Sequence, residues 1–158
     1  MRSAIFVLAA LMSLVAGCGF HLQRTIPVIG GLQRITLQVV DGQSDFVNAM
    51  RRHLRHAGIN VNLDSETVLV IERDELLERV ASVSTRNLPR EYELTYAVRF
   101  TVRTRGEVRI SSEEVFVTRD FSFNERLALA KEREREQLRE TLAGEAAGIV
   151  LQRLSSLR

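Results

Sequence analysis

The chain has 158 residues, 45% of them hydrophobic and 27% charged, and its formal net charge at pH 7 is only +2. This length suffices for one domain with a hydrophobic core, and the near balance of charge disfavours nucleic acid as a partner, because binding to its phosphates needs a cationic excess. Cys18 is the only cysteine, so an intramolecular disulfide and a cysteine-ligated metal site are both excluded.

The first 17 residues have the pattern of a secretory signal peptide. Arg2 is their one charge, and the apolar run from Ala4 to Ala16 is broken only by Ser13. As a helix this run would reach about 20 Å, too short for a bilayer core of roughly 30 Å. A basic start and a short apolar run are typical of an exported protein. We therefore expect residues 1–17 to be removed.

Cys18 follows Val-Ala-Gly, as in a bacterial lipobox. There the thiol receives a diacylglycerol and the new amino group is acylated, which gives a stable membrane anchor. Gly19 stands where aspartate commonly retains lipoproteins in the inner membrane, so we expect Cys18 to be lipidated and anchored in the outer membrane. The alternative is an ordinary signal peptide with a chance cysteine. Residues 18–34 then form a lipidated N-terminus and tether, since Pro27 and the glycine pair at 30–31 break regular structure.

Residues 35–158 are predicted to form a single domain that starts with a strand, a helix and a strand. Alternating apolar residues predict the first strand at 35–40, and an apolar stripe predicts a helix that Ser44 or Asp45 caps. The second strand lies within 61–72, and this order favours a parallel crossover. Residues 76–84 are another extended candidate, either separate or continuous with that strand.

The second half of the domain is predicted to be a hairpin followed by a long helix. Strict alternation over 91–104 predicts a strand with one buried face. A three-residue loop at 104–106 is preferred to a two-residue turn at 105–106, because it pairs apolar residues on one face. With a β-bulge near 111–114, this register aligns Arg119 with Tyr92.

A helix from about Glu125 to Leu154 follows, and Ser122 and Glu125 have the spacing of a capping box. The predicted fold is therefore an α+β two-layer sandwich, a mixed four-stranded sheet with two helices packed on one face.

The sequence predicts no enzyme, no cofactor and no metal site. His53 and His56 lie three residues apart on the first helix, but no third ligand accompanies them. The acidic pair at 113–114 and the mixed charges at 132–136 have the pattern of solvated surface groups. No nucleophile motif, phosphate loop or dinucleotide fingerprint is present.

The preferred register gathers basic residues at one end of the sheet: Arg86, Arg90, Arg119, Arg126 and Lys131. Arginine binds phosphate bidentately and lysine binds it as a point charge. An exposed leucine, Leu88, stands among them. This combination suits an amphiphilic anion such as a phosphorylated lipid, whereas the alternative is ordinary surface charge in an arginine-rich chain.

A series of short motifs runs in order along nearly the whole mature chain. They are Cys18-Gly19-Phe20-His21-Leu22, Ala81-Ser82-Val83, Arg86-Asn87, Glu91-Tyr92-Glu93-Leu94, Ala128-Leu129-Ala130-Lys131, and Ala146-Ala147 with Arg153-Leu154. In this order and spacing, the motifs resemble the LptE family of lipopolysaccharide-assembly lipoproteins.

The resemblance implies an outer-membrane lipoprotein, anchored through acyl chains on Cys18 at the periplasmic side, that fills the lumen of the β-barrel protein LptD. Together the two proteins would insert lipopolysaccharide into the outer leaflet. The family binds lipopolysaccharide through basic residues that match Arg86 and Lys131, and the basic end derived above adds Arg90 and Arg119. The alternative function is a generic periplasm-facing lipoprotein that scaffolds another envelope complex.

Overall fold

The computed structural model describes residues 32–124 and 127–157. In these ranges the chain forms β1 (Arg34–Gln38), α1 (Asp45–His56), β2 (Asn60–Val61), β3 (Thr67–Val83), β4 (Pro89–Thr104), β5 (Glu107–Ser122) and α2 (Ala128–Ser156). The strands build one sheet in the order β2-β1-β3-β4-β5, in which β1 is parallel to both neighbours and β3, β4 and β5 are antiparallel. The predicted signal peptide, Cys18 and most of the tether lie outside the described residues.

The predicted α+β class is confirmed, with two helices and a mixed sheet in the described part of the chain, but the predicted four strands are wrong because this sheet has five. The additional strand is β2, whose Asn60 and Val61 pair with Arg34 and Ile35. Two residues are too few to show an alternating pattern, so the sequence carries no signal for it. β3 continues to Val83 without a break, which joins the two extended segments predicted there.

Helix α1 begins and ends close to where the sequence predicts. The Ser44 hydroxyl accepts a hydrogen bond from the Val47 amide at 3.1 Å and so caps the first turn. Beyond the last turn, Gly58 has a φ of 75°, a left-handed conformation that glycine adopts without strain. Local polar and glycine signals therefore fix both helix ends.

Both helices bury an apolar stripe against one face of the sheet. The three- and four-residue spacing of the apolar side chains puts them on one side of each helix, and the inward side chains of β4 meet them. The fully buried residues of this core include Phe46, Met50, Leu54, Leu94, Val98, Phe100, Val102, Leu142 and Val150. The opposite face of the sheet carries no helix among the described elements.

The β4–β5 hairpin has a two-residue turn, so the register predicted from a three-residue loop is wrong. Arg105 and Gly106 have φ values of 53° and 82°, the left-handed pair of a type I′ turn. This turn matches the twist of the strands, and it sets Thr104 opposite Glu107. Two register shifts then restore the apolar face, and the second lies near Ser112, within the segment where a bulge was predicted.

The bulge at Ser112 is fastened by a carboxylate on β3. Glu72 accepts hydrogen bonds from the hydroxyls of Thr101 at 2.5 Å and Ser112 at 2.7 Å. These hydrogen bonds favour the charged form and hold the pKa of Glu72 below its usual range. The irregular backbone at this point is thus pinned to two neighbouring strands.

Ser122 does not cap the last helix as predicted. It is the final residue of β5, and α2 begins six positions later at Ala128, with Leu127 in the cap position and no side-chain hydrogen bond there. Glu125, the other half of the predicted capping box, lies outside the described residues. The strand therefore continues through the polar residue that suggested a helix start.

The sheet has two ends that differ in the elements they contain. We call the end with the turn at residues 84–88, the end of β5 and the start of α2 the tip. The opposite end, with β2, the last turn of α1 and the turn at Arg105-Gly106, is the base. Because β3 and β4 run about sixteen residues each, at roughly 3.3 Å per residue the two ends lie on the order of 50 Å apart.

A single carboxylate connects α1, β3 and β4. Asp74 on β3 accepts a hydrogen bond from the Tyr96 hydroxyl at 2.8 Å and another from the Ser44 hydroxyl at 2.5 Å. Burial raises the pKa of Tyr96, and the hydrogen bond to Asp74 raises it further. Since Ser44 also caps α1, this carboxylate joins the helix cap to the centre of the sheet.

Candidate functional site

The ion pairs of the described residues separate two kinds of arginine. Eight arginines lie within 4.0 Å of a carboxylate: Arg73, Arg79, Arg99, Arg105, Arg119, Arg135, Arg139 and Arg153. In the described ranges, the side chains of Arg86 and Arg90 at the tip and of Arg51, Arg52 and Arg55 near the base have no hydrogen bond or ion pair. An unpaired guanidinium keeps all its donors available for an anion.

Arg86 is presented by a tightly hydrogen-bonded turn. The Ser84 hydroxyl accepts hydrogen bonds from the amides of Arg86 at 3.3 Å and Leu88 at 3.2 Å. The Ser84 amide donates to the Leu88 carbonyl at 2.8 Å, and Asn87 takes a left-handed φ of 58°. The turn therefore fixes the backbone while the side chains of Arg86 and Leu88 remain exposed.

Arg90 lies at the same end of the sheet as the last residues of β5. The Phe123 amide donates to the Arg90 carbonyl at 2.8 Å, and Glu91 pairs with Ser122. The Arg90 side chain is exposed. The structure thus brings Arg86 and Arg90 to the tip, as the sequence predicts.

Lys131 also lies at the tip, but its ammonium group has partners. Its Nζ is 2.9 Å from the Glu134 carboxylate, 3.4 Å from the Ser122 hydroxyl and 5.3 Å from the centre of the Phe121 ring. The side chain is only 17% exposed. Lys131 therefore ties the start of α2 to the end of β5 as well as contributing charge.

Arg119 lies away from the tip. Phe121, and not Arg119, is opposite Tyr92, and Arg119 pairs with Leu94. Its guanidinium donates to both oxygens of Glu145 on α2, at 2.8 and 2.9 Å. The predicted alignment of Arg119 with Tyr92 is wrong, because the two-residue turn shifts the register by one residue and a second bulge shifts it by one more. Arg126, the remaining member of the predicted basic end, lies outside the described residues.

Exposed apolar side chains lie near the cations at the tip, and the sequence pattern predicts only one of them, Leu88. β1 pairs with β3 only at residues 68–70, so the outer part of β3 is covered on one edge alone. Val80 lies in the same row as Tyr92 and Phe121, on the face over which α2 begins. The exposed apolar residues of this end are Val80, Val83, Leu88, Leu127 and Leu129.

The described residues contain no group of three or more His, Cys, Asp and Glu side chains that could hold a metal ion. Among the same residues, no helix has both the length and the hydropathy needed to cross a membrane. The exposed cations and apolar side chains of the tip are therefore the chemically distinctive features of this end of the domain.

Comparison with known proteins agrees with the sequence motifs. The family model described as LptE, lipopolysaccharide-assembly, matches residues 32–154. A Pectobacterium atrosepticum protein named LPS-assembly lipoprotein LptE is 29% identical over 99% of this chain and 88% of its own length. The Yersinia pestis protein of the same name is 30% identical over 97% of this chain and 75% of its own length.

Solved structures share the fold. The crystal structure of rare lipoprotein B from Shewanella oneidensis superposes with a TM-score of 0.70 at 28% identity, and it covers 78% of this chain and 94% of that chain. The solution structure of an uncharacterised lipoprotein B from Nitrosomonas europaea gives a TM-score of 0.71 at 24% identity, over 87% of this chain and 91% of that chain. The second likeness concerns the fold alone.

Proposed function

The chain belongs to the LptE lipopolysaccharide-assembly family, and from this premise we propose that it plugs and assembles the LptD β-barrel in the outer membrane and binds lipopolysaccharide at its tip. A role in lipopolysaccharide assembly follows from family membership. The barrel partner, the lipid ligand and the outer-membrane address are the proposal. The observation that supports it best is the tip, where unpaired arginines stand among exposed apolar side chains.

The tip suits the phosphorylated end of lipopolysaccharide. Arg86 and Arg90 are exposed and free of side-chain partners in the described part of the chain, so they can bind phosphate at no cost in broken ion pairs. Lys131 is a third cation at this end of the sheet, and its ammonium is paired with Glu134. Leu88 and Val80 offer exposed apolar surface for the first methylenes of acyl chains. Arg119, held by Glu145, contributes only if that ion pair opens.

The open face of the sheet suits the inside of a barrel. It carries cross-strand polar pairs: Arg79 with Glu93, Arg99 with Glu114, and Thr95 with Thr118. The interiors of outer-membrane barrels are polar, so a plug with such a face would exchange hydrogen bonds with the lumen without burying unpaired groups. We therefore assign the barrel contact to this face and the lipid contact to the tip.

The proposed anchor and the folded domain have separate tasks. Acyl chains on Cys18 would hold the protein at the periplasmic side of the outer membrane. Residues 18–34 would act as a linker long enough for the domain to enter the barrel. The domain would make the specific contacts. An exported Cys18→Ala form should therefore still bind the barrel.

Copurification tests the partner directly. LptD should be retained on a tagged chain extracted from membranes, in the wild type and in the Cys18→Ala form. If LptD copurifies with neither form, the plug proposal is wrong. In that case the alternative, a lipoprotein that scaffolds another envelope complex, predicts a different partner and no affinity for lipopolysaccharide.

A further inference from the structure

A second basic surface lies at the other end of the domain. Helix α1 borders a cleft of about 730 Å³ whose lining includes three arginines, Arg51, Arg52 and Arg55, two carboxylates, Asp45 and Glu140, and Asn60 and Val61 of β2. Asp45 is paired with Arg139. All three arginine side chains are exposed. We call these three residues the base arginines. The cleft lies beside β2 and is therefore remote from the turn that carries Arg86.

The side chains of the base arginines form no stabilising polar contact with the described residues of the domain. None of their side chains forms a hydrogen bond or an ion pair there, whereas at least eight other arginines in the described part of the chain form ion pairs. Arg55 lies in the last turn of α1, where a positive charge is favourable to the helix dipole. Arg51 and Arg52 lie further from that end, so the dipole accounts for them less well.

The position of the base arginines connects them with the N-terminal segment. Asn60 and Val61, which line the cleft, pair with Arg34 and Ile35 at the start of β1, and the Asn60 amide donates to the Gln33 carbonyl at 2.9 Å. The chain therefore enters the domain beside the cleft. The sixteen residues from Cys18 to Gln33 can extend at most about 55 Å. A lipid on Cys18 would hold the base within about 55 Å of the bilayer surface, whereas the tip lies on the order of 50 Å farther along the sheet.

We propose that the base arginines bind the phosphate headgroups of the anionic bilayer surface in which Cys18 is anchored. This inference rests on the proposed anchor. The base then lies at the level of the headgroups that surround the anchor, on the periplasmic side of the barrel, and the tip points away from them into the barrel. Charge complementarity and the entry point of the chain together choose a lipid surface as the occupant. Each arginine near such a surface strengthens binding about fivefold.

Vesicle binding tests the proposal without the anchor. The full mature chain carrying Cys18→Ala is sedimented with vesicles of phosphatidylcholine alone or with about a third phosphatidylglycerol, at low salt. Binding should require phosphatidylglycerol and should fall steeply as salt is raised, because screening weakens exposed charges. Binding that is equal on the two kinds of vesicle would overturn the proposal.

Two variants of equal charge locate the surface. Arg51→Gln with Arg52→Gln should weaken vesicle binding about 25-fold, from two contributions of about fivefold each. Arg79→Gln with Arg133→Gln removes the same charge from exposed positions outside the cleft, and it should change binding less than about threefold. Arg55 is left in place because of its helix dipole. Both variants should melt within about 2 °C of the parent, since exposed substitutions rarely alter stability.

Three further measurements distinguish the ways in which the proposed membrane contact could be wrong. Glycerol phosphate at about 10 mM should leave vesicle binding nearly unchanged, because a bilayer surface engages several arginines at once; release by this soluble phosphate ester would mean that the cleft takes a single small anion. Equal weakening by the two double variants would mean that total charge, and not the base arginines, governs binding. The mass of the membrane-extracted wild type reports the lipid on Cys18 separately, so a missing anchor is distinguishable from a missing arginine surface.

Discussion

Replacing Arg86 with aspartate should weaken lipopolysaccharide binding by a factor of about 10 to 100 and leave the fold intact. A hydrogen bond between two charged groups contributes about 1.5–3 kcal/mol, and the new carboxylate would also repel the phosphate. The Arg86 side chain has no partner among the described residues, so its loss breaks nothing inside the domain. Titration of the purified variant with labelled lipopolysaccharide measures the change.

Lys131 needs a gentler substitution for the same test. An aspartate at this position would repel Glu134 and would remove the ammonium from the Phe121 ring. A loss of binding could then result from weaker packing of α2 against β5 and not from the loss of a contact with the lipid. Lys131→Met keeps the apolar stem and removes only the charge, and it should weaken binding by a smaller factor, about 5 to 10. Arg103→Asp, at an exposed position near the base that has no ion pair among the described residues, is the control. If the control weakens binding as much as Arg86→Asp, the site is not at the tip.

Replacing Asp74 with alanine should lower the free energy of unfolding by about 3 kcal/mol, because two side-chain hydrogen bonds lose their acceptor. The Tyr96 hydroxyl would lose its acceptor, and a buried hydroxyl without a partner costs about 1–3 kcal/mol. Ser44 would lose the bond that orients it, and a weakened helix cap costs about 1 kcal/mol. Urea unfolding followed by circular dichroism measures the loss.

Two companion variants test the reason for this loss. Asp74→Asn keeps one acceptor oxygen and should lose about half as much stability. In a Tyr96→Phe background, Asp74→Ala should cost only the smaller share that belongs to the helix cap, because no tyrosine hydroxyl remains to be stranded. A denaturation midpoint for Asp74→Ala equal to that of the wild type would contradict the role of this carboxylate.

The sequence predicts the elements whose signals are local. Ser44 and Gly58 mark α1 because a cap and a left-handed glycine act within one turn of chain. The hairpin register failed for a different reason: matching apolar faces favoured a three-residue loop, whereas the Arg105-Gly106 turn is decided by strand twist. Two β-bulges then return the apolar residues of β4 and β5 to the same face of the sheet. The sequence does not predict β2, because its two residues form a strand only through their pairing with β1.

The tip was predicted in part. Arg86 and Arg90 follow from the position of one turn, and Lys131 from the start of one helix. Arg119 was assigned through the wrong register, and its pairing with Glu145 joins residues that are far apart in sequence. The exposure of Val80 depends on where β1 stops covering β3. The Arg119–Glu145 ion pair and the exposure of Val80 both depend on tertiary structure, so no local sequence pattern predicts them.

A photoreactive residue at position 88 tests the central claim most directly. Leu88 lies beside Arg86 at the tip, and Leu63, 99% exposed near the base, is a matched control. When cells that make lipopolysaccharide are irradiated, the chain with the reactive group at position 88 should form a lipopolysaccharide adduct, and the chain with it at position 63 should not. No adduct at position 88, or equal yields at the two positions, would contradict lipopolysaccharide binding at the tip.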